Sequence, residues 1–179
     1  GIGAAKDIVL EGARTHGYIT VQGKQHLVLQ NLTLRNPALN RDSAAISILR
    51  CRCVRVQNVI LEGKWRNGAG IRVDKRSTDV VIERNSISSY DVGVHCLNGF
   101  GPIVVTQNHI KNCRHGIDAD CCEVSVIFNA VQNSLLEDIR VRRSPRALCA
   151  ENSLEKRPVL GRQVAKRSPP ARSRSSGPS

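Results

Sequence analysis

Aliphatic residues recur in this chain at a repeated spacing. The stretch Val80-Val81-Ile82-Glu83-Arg84-Asn85-Ser86-Ile87 reads Φ-x-Φ-x-x-(Asn or Φ)-x-Φ, where Φ is aliphatic, and four more copies keep that spacing. They are Leu27, Leu29, Leu32, Leu34; Val54, Val56, Val59, Leu61; Ile103, Val105, Asn108, Ile110; and Val124, Val126, Asn129, Val131. Successive copies start 27, 26, 23 and 21 residues apart. Alternation of period two, interrupted once, predicts a short strand, a tight bend and a second short strand. A recurrence of this length calls for a solenoid. Asn at the bend is expected to take the left-handed backbone of a one-residue corner, and stacked Asn side chains are expected to hydrogen-bond up a ladder.

Ahead of each bend motif lies another strand with two inward positions: Ile19/Val21, Ile46/Ile48, Ile71/Val73, Val94/Cys96 and Ile117/Ala119. Gly70, Gly93 and Gly116 precede three of them, 23 residues apart, and Ala45 stands in a fourth. Three strands per turn with corners between them predict an all-β fold, a right-handed parallel β-helix of about five to six rungs. Ile139 and Val141 continue the series, but no bend motif is recognised after them, and Ala147-Leu148-Cys149 is a weak substitute. The expected organisation is one β-helix over 1–143 and a disordered basic tail over 144–179, rich in Arg, Pro and Ser, which has too little apolar surface to offset its ordering entropy.

Three passages carry a resemblance: Tyr18-Ile19-Thr20-Val21-Gln22-Gly23, Leu29-Gln30-Asn31-Leu32-Thr33-Leu34-Arg35-Asn36 and Ser77-Thr78-Asp79-Val80-Val81-Ile82-Glu83-Arg84-Asn85. Together with the repeat over residues 8–142 they resemble the right-handed β-helix repeats of the pectate-lyase-like superfamily. That resemblance implies a scaffold shared by secreted polysaccharide lyases, glycoside hydrolases and uronate epimerases, and by tailspikes and adhesins without known chemistry. It implies a secreted or cell-surface location. Calcium-dependent members carry Asp where this chain resembles them with Ala45, Gly70 and Gly93, so no metal and no other cofactor is expected. The polygalacturonase set of Asn-Thr-Asp, Asp-Asp and Gly-His-Gly is likewise missing, His115-Gly116 being only a fragment of it.

Composition narrows the picture. Aromatics make up 3% and Met is absent, which favours Val/Ile/Leu-rich rungs over a helical bundle. No run approaches the roughly 20 apolar residues that span a bilayer. The chain starts at Gly1 with strand sequence close behind and no secretory leader in view, as in a mature form or a fragment. Of the net charge of +12, residues 137–179 carry +7. A basic tail attracts phosphate or acidic polymers, but the few aromatics and the lack of a nucleic-acid-binding motif argue against nucleic acid as partner. Seven cysteines without paired CxxC motifs argue against zinc. Cys96 is expected in the core, and disulfides at Cys51/Cys53 or Cys121/Cys122 stay open.

Candidate chemistry comes from the outward positions. One column reads Thr20, Ser47, Arg72, His95, Asp118 and Arg140; the next reads Gln22, Leu49, Asp74, Leu97, Asp120 and Arg142. His95 is expected between Arg72 and Asp118, with Asp74 and Asp120 at the diagonals. For β-elimination or C5 epimerisation of a uronate, His95 is the candidate base and Arg72 or Arg140 the clamp on the substrate carboxylate. For inverting hydrolysis, two carboxylates sit about 6.5–9.5 Å apart; Asp74 and Asp120 are expected near ~9.6 Å, and Asp118 and Asp120 near ~6.7 Å. Trp65, in a long basic corner, is a candidate sugar-stacking residue. His16, His26, His109 and His115 read as structural or solvated. The expected function is action on an acidic polysaccharide, as lyase or epimerase ahead of hydrolase, with non-catalytic carbohydrate binding or surface display as the alternative.

Overall fold

The computed structural model describes residues 9–11, 17–35, 39–64, 67–121, 123–154 and 159–160, the last pair as backbone only. Each sequence repeat winds into one rung of a parallel β-solenoid, and the described residues form six complete rungs. No helix occurs among the described residues. Sheet 1 stacks Ile19–Gln22, Ala44–Leu49, Ala69–Asp74, Val92–Leu97, His115–Asp120 and Glu137–Arg142, with Val159–Leu160 at its edge. Sheet 2 stacks Gln25–Gln30, Arg52–Gln57, Thr78–Glu83, Ile103–Thr106, Glu123–Ile127 and Arg146–Ala150. Sheet 3 starts at Val9–Glu11 and continues through Thr33–Arg35, Ile60–Glu62, Ser86–Ser88, His109–Lys111 and Ala130–Gln132 to Ser153–Leu154.

The core is the line of inward aliphatics predicted by alternation. Ile46, Ile48, Val56, Leu61, Ile71, Ile82, Ile87, Val94, Ile103, Ile110, Ile117 and Ile139 are fully buried, and Cys96 lies among them. Like residues stack on like in register, as in Val54↔Val80 and Val80↔Ile103. Each such side chain contributes roughly 1.5–3 kcal/mol by leaving water. At the N-terminal rung Ile19, Leu27, Leu29 and Leu32 are only partly buried.

The Asn ladder forms, but its residues are not the ones in left-handed backbone. That conformation belongs to the residue before each: Asn31, Asn58, Arg84, Gln107, Phe128 and Glu151, with φ between 51° and 56°. The left-handed residue turns the chain in one step, and the next side chain then faces inward. Asn85, Asn108 and Asn129 use their amides to satisfy backbone groups at the corner. Asn85 Oδ1 accepts the Val59 N–H at 3.0 Å, while Asn85 Nδ2 donates to Val56 O and to Asn108 Oδ1, both at 3.0 Å. Asn108 donates to Asn129 and Asn129 to Asn152 in the same way.

Asn152 reveals a sixth bend motif: Ala147, Cys149, Asn152 and Leu154. Its strands pair with the rung before, Ala147↔Val124, Cys149↔Val126 and Leu154↔Val131. The solenoid therefore runs past the expected boundary at residue 144. Small and sulfur-bearing residues in place of branched aliphatics hid this rung from a hydrophobic pattern. Most of the tail beyond Leu154, like Trp65 and His16, lies outside the described residues.

Candidate functional site

Register brings the polar column together as the spacing predicts. Thr20↔Ser47, Ser47↔Arg72, Arg72↔His95, His95↔Asp118 and Asp118↔Arg140 are neighbours on sheet 1. A groove of about 480 Å³ runs along this face. Its floor holds Arg72, His95, Asp118, Arg140 and Arg142; its rim comes from Arg41, Asp42 and Ser43 and from the corner residues Gly68, Asp91, Arg114 and Leu136.

A second row lines the groove: Ala69, Val92 and His115, three residues ahead of Arg72, His95 and Asp118. Strict alternation would send residues three apart to opposite faces. The chain slips by one residue at Gly70, Gly93 and Gly116, which explains those glycines. A Cβ on Gly93 would stand 2.6 Å from both Gly116 O and Ile110 Cγ2, so only hydrogen fits. His115 is thus a groove residue rather than a plain corner histidine. The glycine after it was the signal.

The carboxylates of the outward columns are not solvated. Asp118 is 2% exposed, and Arg140 clamps it with Nε at 3.1 Å from Oδ1 and with Nη2 on Oδ2. Arg142 adds Nη2 contacts at 3.2 and 3.1 Å. Burial alone would raise the Asp118 pKa, but the hydrogen bonds and charge of Arg140, with Arg142 and His95, outweigh it and hold the carboxyl below its usual range. Asp74 accepts from Arg72 Nη2 at 2.9 Å and from the Lys75 N–H at 2.6 Å. Asp120 is held by a bidentate Arg143, both contacts 2.6 Å. Neither Asp74 nor Asp120 lines the groove. The pair considered for hydrolysis therefore does not face this groove, and each member is occupied by an arginine.

His95 is different in kind. Its side chain is 22% exposed, with Nε2 3.7 Å from Asp118 Oδ2. Burial lowers its pKa; Asp118 pulls it up, and Arg72, Arg142 and Arg140 push it down again, leaving it below the ordinary value of 6.5. At neutral pH it is an uncharged imidazole able to accept a proton. His115 is also lowered, by burial first and then by Arg140. Its Nδ1 lies 3.5 Å from Glu137 Oε2, which sits 3.3 Å from Arg140 Nε. One chain of charged groups, Asp118, Arg140 and Glu137, thus links the two histidines.

Arg72 also donates from Nη1 to Asp42 O at 2.6 Å, tying the rim loop to the floor. Arg41 stands exposed on that loop, and Arg114 makes a long ion pair with Asp91 at 3.6 Å. These two rim cations were invisible to strand periodicity because they sit in corners. No group of three or more potential metal ligands occurs among the described residues. No protein-family model matches this chain, and neither a curated protein nor a solved structure does.

Proposed function

We propose that this parallel β-solenoid is a secreted or cell-surface member of the pectate-lyase-like superfamily that engages an acidic polysaccharide along sheet 1. In this reading His95 removes the C5 proton next to a uronate carboxylate; in elimination the C4–O bond then breaks and the leaving oxygen takes a proton from the imidazolium or water, and in epimerisation water returns a proton to the other face of C5. The observation that carries the reading is a partly exposed imidazole, 3.7 Å from Asp118, on the floor of a groove with five arginines in its lining.

The chemistry assigns each group a task. Proton removal beside a carboxylate needs a cation to neutralise the growing charge. Arg41 and Arg114 on the rim are the cations least committed to internal carboxylates. Arg72 and Arg140, the clamps expected from the sequence, are spent on Asp74 and Asp118 and act instead by keeping His95 uncharged. Asp118, 3.7 Å from His95 Nε2, steadies the imidazole by its charge once protonated. Arginine-bound carboxylates are poor general acids, so elimination or epimerisation is favoured over hydrolysis.

Binding without turnover is the second reading, favoured by the arginine pairing of Asp74, Asp118 and Asp120, which fits a rigid recognition surface equally well. Incubation with polygalacturonate, alginate and heparin separates the two. An ultraviolet-absorbing unsaturated uronate that disappears in His95→Ala supports elimination. Binding of a polymer that survives His95→Ala, with no product from wild type, supports recognition alone.

A further inference from the structure

A second cleft, of about 850 Å³, opens at the corner where sheet 1 turns into sheet 2. Its lining is Arg50, Asp74, Lys75, Arg76, Asn98 and Phe100. Arg50, Lys75 and Asn98 each follow a sheet 1 strand directly, so they occupy equivalent places on three successive rungs. All take left-handed backbone, with φ of 54°, 54° and 50°, and Arg76 does so at 66°. A residue other than glycine in that region costs about 1–2 kcal/mol, less for Asn. Three basic side chains stand where Asn or Gly would be less strained.

Among the described residues no carboxylate pairs with Arg50, Lys75 or Arg76, and the one acid in the cleft, Asp74, is already held by Arg72. Phe100 is 59% exposed, with the Arg76 guanidinium carbon 5.1 Å from its ring centroid. Cations beside an open ring suit a polymer whose units carry both an anionic group and an apolar face. Uronic acids have both, a carboxylate and the C–H side of the sugar ring. Single-stranded nucleic acid also offers both, but its binding surfaces align several aromatic rings, and Phe100 is the one ring in this lining. Arg72 joins the two clefts, since it lines the His95 groove while its guanidinium holds the Asp74 of the corner cleft.

We infer that the corner cleft is a second binding site for the acidic polysaccharide, with carboxylates on Arg50 and Lys75 and a sugar face on Phe100. One polymer then spans both clefts across Ala69–Asp74 and Val92–Leu97. This rests on the reading of the His95 groove given above. Linking two sites on one ligand multiplies affinity, so removing one weakens a polymer sharply.

The test is calorimetric titration of the full chain with polygalacturonate, alginate, heparin and single-stranded DNA. The corner variant is Arg50→Asn, Lys75→Asn and Phe100→Ser, with Asn chosen for the left-handed positions and circular dichroism used to check folding. The groove variant is Arg41→Gln with Arg114→Gln. The expected result is that each variant weakens an acidic polysaccharide by at least about tenfold. Unchanged polysaccharide binding in the corner variant overturns the corner site alone. Loss in the corner variant with none in the groove variant overturns the groove reading and keeps the corner site. A wild-type protein that binds none of the three polysaccharides overturns both, and a corner effect confined to DNA overturns the polysaccharide assignment.

Discussion

His95 Nε2 lies 3.7 Å from Asp118 Oδ2, and that same carboxylate is gripped by Arg140 and Arg142 on the next rung. Asp118 is the one neighbour that raises the His95 pKa, while burial and three arginines lower it. The carboxylate therefore balances two demands, keeping the arginines compensated and keeping the imidazole able to take a proton.

Asp118→Asn should disturb both. Removing one partner of a buried pair leaves charge uncompensated, at a cost of roughly 3–5 kcal/mol when both are deeply buried. Here Arg140 and Arg142 reach partway into solvent, so the expected loss is smaller, about 2 kcal/mol in urea unfolding. The His95 ring protons, followed by NMR, should titrate at lower pH than in wild type.

The pH dependence of stability follows from the two histidines. Both are lowered below 6.5 in the folded protein, so the unfolded chain binds protons first as pH falls. Stability should decline as pH drops through 6.5, and go on declining until the folded pKa values are passed. Asp118, lowered from 3.8, adds a further loss in the acid range below that value. His95→Gln with His115→Gln should flatten the upper part of the curve and leave most of the acid part, since Arg140 and Arg142 lower Asp118 more than His95 does. Unfolding midpoints across neutral to acid pH measure this directly.

The ladder gives a graded test. Asn108 is buried with both neighbours in place, donating to Ile82 O, Thr106 O and Asn129 Oδ1 and accepting from Asn85. Asn108→Ala strands several buried groups, at roughly 1–3 kcal/mol each, and should cost about 3 kcal/mol or more. Asn152, at the end of the described ladder and only partly buried, should cost about 1 kcal/mol on the same change. Equal costs in urea unfolding would contradict the ladder account.

Phe128 offers a change in the other direction. It sits at φ 55° with half its surface exposed, so the ring gains little from burial while the backbone is strained. Phe128→Asn should stabilise by about 1 kcal/mol. A thermal melt at lower temperature than wild type would show that the ring contributes packing.

The sequence carried the register because each rung is pinned by two inward aliphatics. Once Ile71/Val73, Val94/Cys96 and Ile117/Ala119 are placed inside, Arg72, His95 and Asp118 must stack. What periodicity cannot express is how long side chains fold back. Arg140, Arg142 and Arg143 lie over Asp118 and Asp120 because a guanidinium reaches across a rung, so the acids considered as catalytic groups are bound by arginine. His115 was read as structural or solvated because the slip at Gly116 breaks alternation, and Arg41 was missed because corner loops follow no period. The Asn152 rung escaped because Ala147 and Cys149 are small.

Proton NMR of polygalacturonate and alginate incubated with the protein in heavy water tests the central claim most directly. Elimination introduces an alkene proton signal, and epimerisation erases the C5 proton signal by exchange with solvent. The account predicts one of these with wild type and neither with His95→Ala of intact fold. Unchanged spectra with wild type on polymers that it demonstrably binds would contradict His95 as a base and leave recognition as the role of the groove.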